Sequence, residues 1–78
     1  MNDILKKVIE ITCDQMGVQE HEIDPEANIM DSLRADSLDM VEIIMSVEDE
    51  FNIDIPDEDA EVLFTINDVV EYVERKLA

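Results

Sequence analysis

Few side chains in these 78 residues are equipped for chemistry, and the most informative is a serine. The tripeptide Asp-Ser-Leu occurs twice, as Asp31-Ser32-Leu33 and as Asp36-Ser37-Leu38. A serine that opens a helix holds its hydroxyl at the positive end of the helix dipole, where a phosphate ester is electrostatically favoured. Asp36 is a good N-cap with Asp39 three residues on, whereas a helix capped by Asp31 carries Arg34 at that place, against the dipole. The spacing therefore selects Ser37. Taken alone, an Asp-Ser pair is also an ordinary first-turn sequence, so this choice needs support from the rest of the chain.

The other reactive types lead nowhere comparable. Cys13 is the only cysteine, which excludes an internal disulfide and fits a reducing compartment such as the cytoplasm. Cys13 and His21 supply one soft ligand each, too few for zinc. His21 stands between Glu20 and Glu22 and reads as a surface histidine, not as the base of a Ser-His-Asp triad. Gly17 is the only glycine, and no calcium loop built around a glycine turn is present. We expect neither a catalytic residue nor a specific metal site, hence a non-enzyme.

The elements that must position Ser37 are helical. From Asp3 to about Met16, Leu5, Val8, Ile9, Thr12 and Met16 recur at helical intervals, and Gly17 stands where a left-handed C-cap is needed. Residues 18–36 space their apolar side chains irregularly among acids, with Pro25 turning Asp24 away from helix, and read as one long ordered loop. Pro56 followed by Asp57-Glu58-Asp59 opens a short helix to about Leu63. Thr65, with Asp68 three residues on, caps a last helix whose stripe is Ile66, Val69, Val70, Val73 and Leu77. No segment alternates with period two for long enough to demand a strand. The reading is all-α.

Between Asp36 and Phe51 the helix has more apolar residues than one face can take. With Leu38 at the origin of the wheel, Met40, Ile43, Ile44, Val47 and Phe51 fill an arc of about 140° to 240°, the core face. Leu38, Val41 and Met45 form a second stripe, set off from the core by Ser37 and Glu48 and edged by Glu42 and Asp49. An apolar stripe rimmed by carboxylates suits a partner whose groove is ringed by Lys and Arg. The plain alternative is a central helix that buries both stripes. The acid distribution favours the partner, because residues 36 to 61 hold 11 carboxylates and no basic residue. Such a run repels itself and steers cationic partners.

Size and charge bound the remaining possibilities. The chain is short enough to be a single domain over residues 1–78, with a radius of gyration near 12 Å and no room for a deep enclosed active site. Five basic residues against 22 acidic ones give a net charge of -17, which repels nucleic acid and anionic membranes. No run is long enough to span a bilayer, and the N-terminus lacks the pattern of a signal peptide. An acidic module that mimics nucleic acid explains the charge but leaves Ser37 and the second stripe without a role.

The segment Arg34-Ala35-Asp36-Ser37-Leu38-Asp39-Met40-Val41-Glu42, continued by Glu48-Asp49-Glu50-Phe51 and Ile55-Pro56-Asp57-Glu58, closely resembles the discrete acyl carrier proteins of dissociated fatty acid synthesis. The likeness runs through essentially the whole chain. It implies a four-helix bundle with three longer helices, a short third helix, and a long ordered loop between helices one and two. It implies a 4′-phosphopantetheine group esterified to Ser37 by a Mg²⁺-dependent phosphopantetheinyl transferase, its thiol carrying growing acyl chains as thioesters. It further implies that the helix after Ser37 is read by synthesis enzymes with basic patches, through Asp36, Leu38, Asp39, Val41, Glu42, Met45, Glu48 and Asp49. By the same analogy the acyl chain shelters among Val47, Ile55, Ala60, Leu63 and Tyr72. A monomeric cytoplasmic carrier is expected, with discrete polyketide or other specialised carriers sharing the motif. One departure stands out: the family usually has glycine two residues before the aspartate of the motif, where this chain has Arg34, within reach of the phosphate or of Asp36.

Overall fold

A computed structural model describes residues 3–78. In chain order the helices are α1 (Asp3–Met16), α2 (Ile29–Leu33), α3 (Ser37–Phe51), α4 (Asp57–Ala60) and α5 (Ile66–Leu77), with a single 3-10 turn at Glu20–Glu22. The all-α reading holds, and the three longer helices lie where the apolar spacing put them. Their buried faces meet in one core: Val8 and Thr12 from α1, Ile43, Ile44 and Val47 from α3, and Ile66, Val69, Val70, Tyr72 and Val73 from α5. Ile29, Ala35, Ile55 and Leu63 from the shorter segments complete it. Helix α1 packs against both α3 and α5. The buried Thr12 hydroxyl donates to the Val8 carbonyl at 2.9 Å, so its polar atom carries no unpaired cost into the core. The radius of gyration is 11.2 Å, close to the size scaling.

Local chemistry ends each element. Gly17 adopts φ 68° after α1, and its N–H donates to the Cys13 carbonyl at 2.8 Å. The Thr65 hydroxyl accepts from the Asp68 N–H at 3.0 Å while an Asp68 carboxylate oxygen accepts from the Thr65 N–H at 3.2 Å, a reciprocal capping box. The short helix expected to reach Leu63 stops at Ala60, and two turn bonds, Val62 N–H to Asp59 and Leu63 N–H to Ala60, carry the chain onward.

One expectation is corrected. Residues 18–36 are not a single loop but a turn followed by α2, so the bundle has three long helices and two short ones. The cap of α2 is Asn28, whose side-chain oxygen accepts from the N–H groups of Met30 at 2.9 Å and Asp31 at 3.2 Å. Asp31, considered above as a cap, is thus a first-turn residue. A five-residue helix is too short to be stable by itself. Its support is tertiary: the Ile29 N–H donates to the Phe64 carbonyl at 2.8 Å and the Asn67 N–H to the Pro25 carbonyl at 3.0 Å. These bonds staple the segment before Ser37 to the first turn of α5 and to Phe64 just ahead of it.

Candidate functional site

Ser37 is the first residue of α3 and is exposed. The helix end beneath it is closed by its neighbours. Asp36 Oδ1 accepts from the Asp39 N–H at 2.9 Å, and Asp39 Oδ2 accepts from the Asp36 N–H at 3.2 Å. Asp39 Oδ1 also accepts from Gln15 Nε2 at 3.3 Å, which ties this end of α3 to α1. The N–H groups of Ser37 and Leu38 precede the first intrahelical bond, so the positive end of the dipole faces outward around the hydroxyl. Ser32, by contrast, lies in the C-terminal half of the five-residue α2, toward the negative end.

Along α3 the second stripe is left in solvent: Leu38, Val41 and Met45 are 64%, 52% and 57% exposed. A central helix burying both stripes is therefore not what is observed. Glu42 and Asp49 are exposed beside it. Glu48 differs from its neighbours, because it is half-buried and its Oε2 accepts from the Ile55 N–H at 2.8 Å. That carboxylate is committed inside the chain, holding the segment that leads to α4.

A cleft of about 760 Å³ opens where α3 faces α4 and its flanking segments, with Ser37 in its lining. Of the expected acyl-pocket residues, Ile55, Ala60 and Leu63 line it and Val47 and Tyr72 do not. Val47 is fully buried in the core between the long helices. Tyr72 is turned to another task, its hydroxyl donating to Asp59 Oδ2 at 2.6 Å and so tying α4 to α5. The sequence reading missed Met40 and Ile44, as well as Met30 and Phe64, all of which line the cleft. Ile44 sits at the edge of the core arc and Met40 within it, positions that a helical wheel assigns to the core by default.

Two titratable groups among the described residues are shifted. The Tyr72 hydroxyl is pushed up to about 12, first by its hydrogen bond to the Asp59 carboxylate and then by burial. The Cys13 thiol is raised by burial and then by Glu20 and neighbouring acids, which keeps it protonated and unreactive near neutrality.

An exposed serine on a capped helix end, at an apolar cleft and beside a greasy stripe, is the layout of a carrier domain. A family model described as a phosphopantetheine attachment site matches residues 6–73. An acyl carrier protein of Rubrobacter xylanophilus is 51% identical over 71 residues, spanning 91% of this chain and 88% of that protein. The acyl carrier protein of Enterococcus faecalis superposes with a TM-score of 0.80 at 34% identity, over 95% of this chain and 94% of that one. A solution structure from Anaplasma phagocytophilum gives a TM-score of 0.88 at 30% identity, over 97% of this chain and 90% of that one. The chain belongs to the phosphopantetheine-attachment family and, within it, to the acyl carrier proteins.

Acyl carrier proteins are non-catalytic, and the prosthetic group is 4′-phosphopantetheine, which when bound supplies a terminal thiol for thioester linkage of acyl chains. The residues present suit such a group: a solvent-facing hydroxyl, a helix end that favours an ester phosphate, and an adjoining apolar cleft. No helix among the described residues is long and apolar enough to cross a membrane.

Proposed function

We propose that Ser37 is the attachment point of the phosphopantetheine group, and that the chain serves fatty acid synthesis as a monomeric cytoplasmic carrier. The observation that carries this reading is the position of Ser37, exposed at the capped start of α3 and in the lining of the cleft. A phosphopantetheinyl transferase delivers the group from coenzyme A with Mg²⁺, forming the ester at Ser37 Oγ. Asp36 and Asp39 keep the helix end closed without using that oxygen.

The surface read by the transferase and by the synthesis enzymes is the exposed stripe Leu38, Val41 and Met45, with Asp36, Asp39, Glu42 and Asp49 around it. Basic patches on those enzymes complement its charge, which steers encounter more than it adds affinity. Glu48 contributes from within, by fixing Ile55. The acyl chain shelters in the cleft against Met40, Ile44, Ile55, Ala60 and Leu63.

The test is a mass measurement. Purified protein incubated with coenzyme A, Mg²⁺ and a phosphopantetheinyl transferase should gain one phosphopantetheine. Ser37→Ala should abolish the gain and Ser32→Ala should retain it, and the opposite pattern would place the arm on the other serine. Turnover of the loaded protein by fatty acid ketosynthases and acyltransferases then checks the pathway.

A further inference from the structure

Arg34 is unusual on two independent grounds. Three helices end on a residue in the left-handed region: α1 on Gly17, α3 on Asn52 and α2 on Arg34, at φ 68°, 55° and 58°. Glycine and asparagine are at ease there, whereas a long side chain is strained. Arg34 is also the only Lys or Arg between Lys7 and Arg75. It is exposed, and among the described residues no carboxylate lies within ion-pair distance of it, although Asp31 and Asp36 flank it in sequence. Asp36 uses a carboxylate oxygen on the Asp39 N–H instead. A strained backbone thus presents an unpaired guanidinium in a chain of charge -17.

Its neighbourhood places it close to Ser37. Only Ala35 and Asp36 separate it from Ser37, and Ala35 is anchored in the core at 7% exposure. Three Cα steps span at most about 11 Å, which an extended arginine and an ester on Ser37 can close between them. A phosphodiester at Ser37 Oγ meets Asp36 and Asp39 nearby and has no other fixed cation in this part of the sequence. The planar guanidinium fork matches phosphate oxygens better than a lysine ammonium does.

We propose that Arg34 is a phosphate-positioning residue: its guanidinium pairs with the phosphodiester formed on Ser37, so that loading the carrier supplies the partner that the unloaded chain lacks. This rests on the assignment of Ser37 above. The pairing offsets the added negative charge and orients the first atoms of the arm toward the end of α2.

The test compares unloaded and loaded wild type, Arg34→Gln, Arg34→Lys and Arg34→Gly, each form verified by mass. Gln keeps the left-handed strain and removes the charge, Lys keeps both strain and charge, and Gly removes both. The strain is common to unloaded and loaded forms, so the loaded-minus-unloaded difference isolates the pairing. At low salt that difference in Tm should be roughly 2 °C more favourable in wild type than in R34Q. The ³¹P resonance of loaded wild type should differ from that of R34Q, converge on it as NaCl is added, and be partly restored by R34K. Identical resonances and identical Tm differences in loaded wild type and R34Q would overturn the pairing alone. A wild-type chain that gains no mass, or gains it at another residue, would overturn the serine assignment and the pairing with it.

Discussion

At Ser37 the hydroxyl and the cap that presents it are separate side chains. Asp36 and Asp39 exchange hydrogen bonds across the helix end, which leaves the serine oxygen available. Asp36→Ala should cost about 1 kcal/mol and lower Tm by roughly 4 to 8 °C in a domain of this size, read by thermal melting. Tyr72 gives a pH signature. Its folded-state value of about 12 exceeds the ordinary 10, so the stability it contributes is complete below pH 10 and is lost as pH rises through about 12. Tyr72→Phe should therefore be less stable at pH 7 by about 1 kcal/mol, and its stability should fall less steeply on the alkaline side. Ser37 and its cap were legible from local spacing. The Tyr72 bond was not, because Asp59 lies 13 residues away on another helix.

Among the elements, α3 carries two faces with opposite consequences. Ile43 is fully buried, so Ile43→Ala should destabilise by about 2 to 5 kcal/mol in denaturant titration. Val41 and Met45 are more than half exposed, so Val41→Asp or Met45→Asp should change stability by under about 0.5 kcal/mol. The same substitutions should weaken binding to a partner enzyme, measured by titration of the loaded protein. Both stripes could be drawn from the helical period, but which of them remained uncovered could not. Helix α2 escaped notice for a related reason: five residues give no readable period, and its order depends on backbone bonds that tie Ile29 to Phe64 and the preceding Pro25 to Asn67.

For the molecule as a whole, the dominant fact is uncompensated charge. The ion pairs found among the described residues are Lys7 with Glu10 at 3.9 Å and with Glu50 at 3.8 Å, against 22 acidic residues in the chain. Both pairs are exposed, and such pairs contribute little. Added NaCl should raise Tm by screening the repulsion, and Mg²⁺ should do so more strongly at equal ionic strength. A melting temperature indifferent to both would show that the acids are too far apart to matter. In the function proposed above, the charge that costs stability is also the charge that steers basic partners.

Sequence alone determined the long helices, the caps at Gly17, Asp36 and Thr65 and the serine at the head of α3, because each depends on residues within one or two turns of one another. Tertiary structure decided that Glu48 turns inward to Ile55, that Tyr72 serves Asp59 and not the cleft, and that α3 and α4 leave an apolar gap between them. Those outcomes join residues from different elements. Helical periodicity fixes the angle of a side chain about its own axis, but only the packing of neighbouring helices determines whether that direction leads to core, cleft or water.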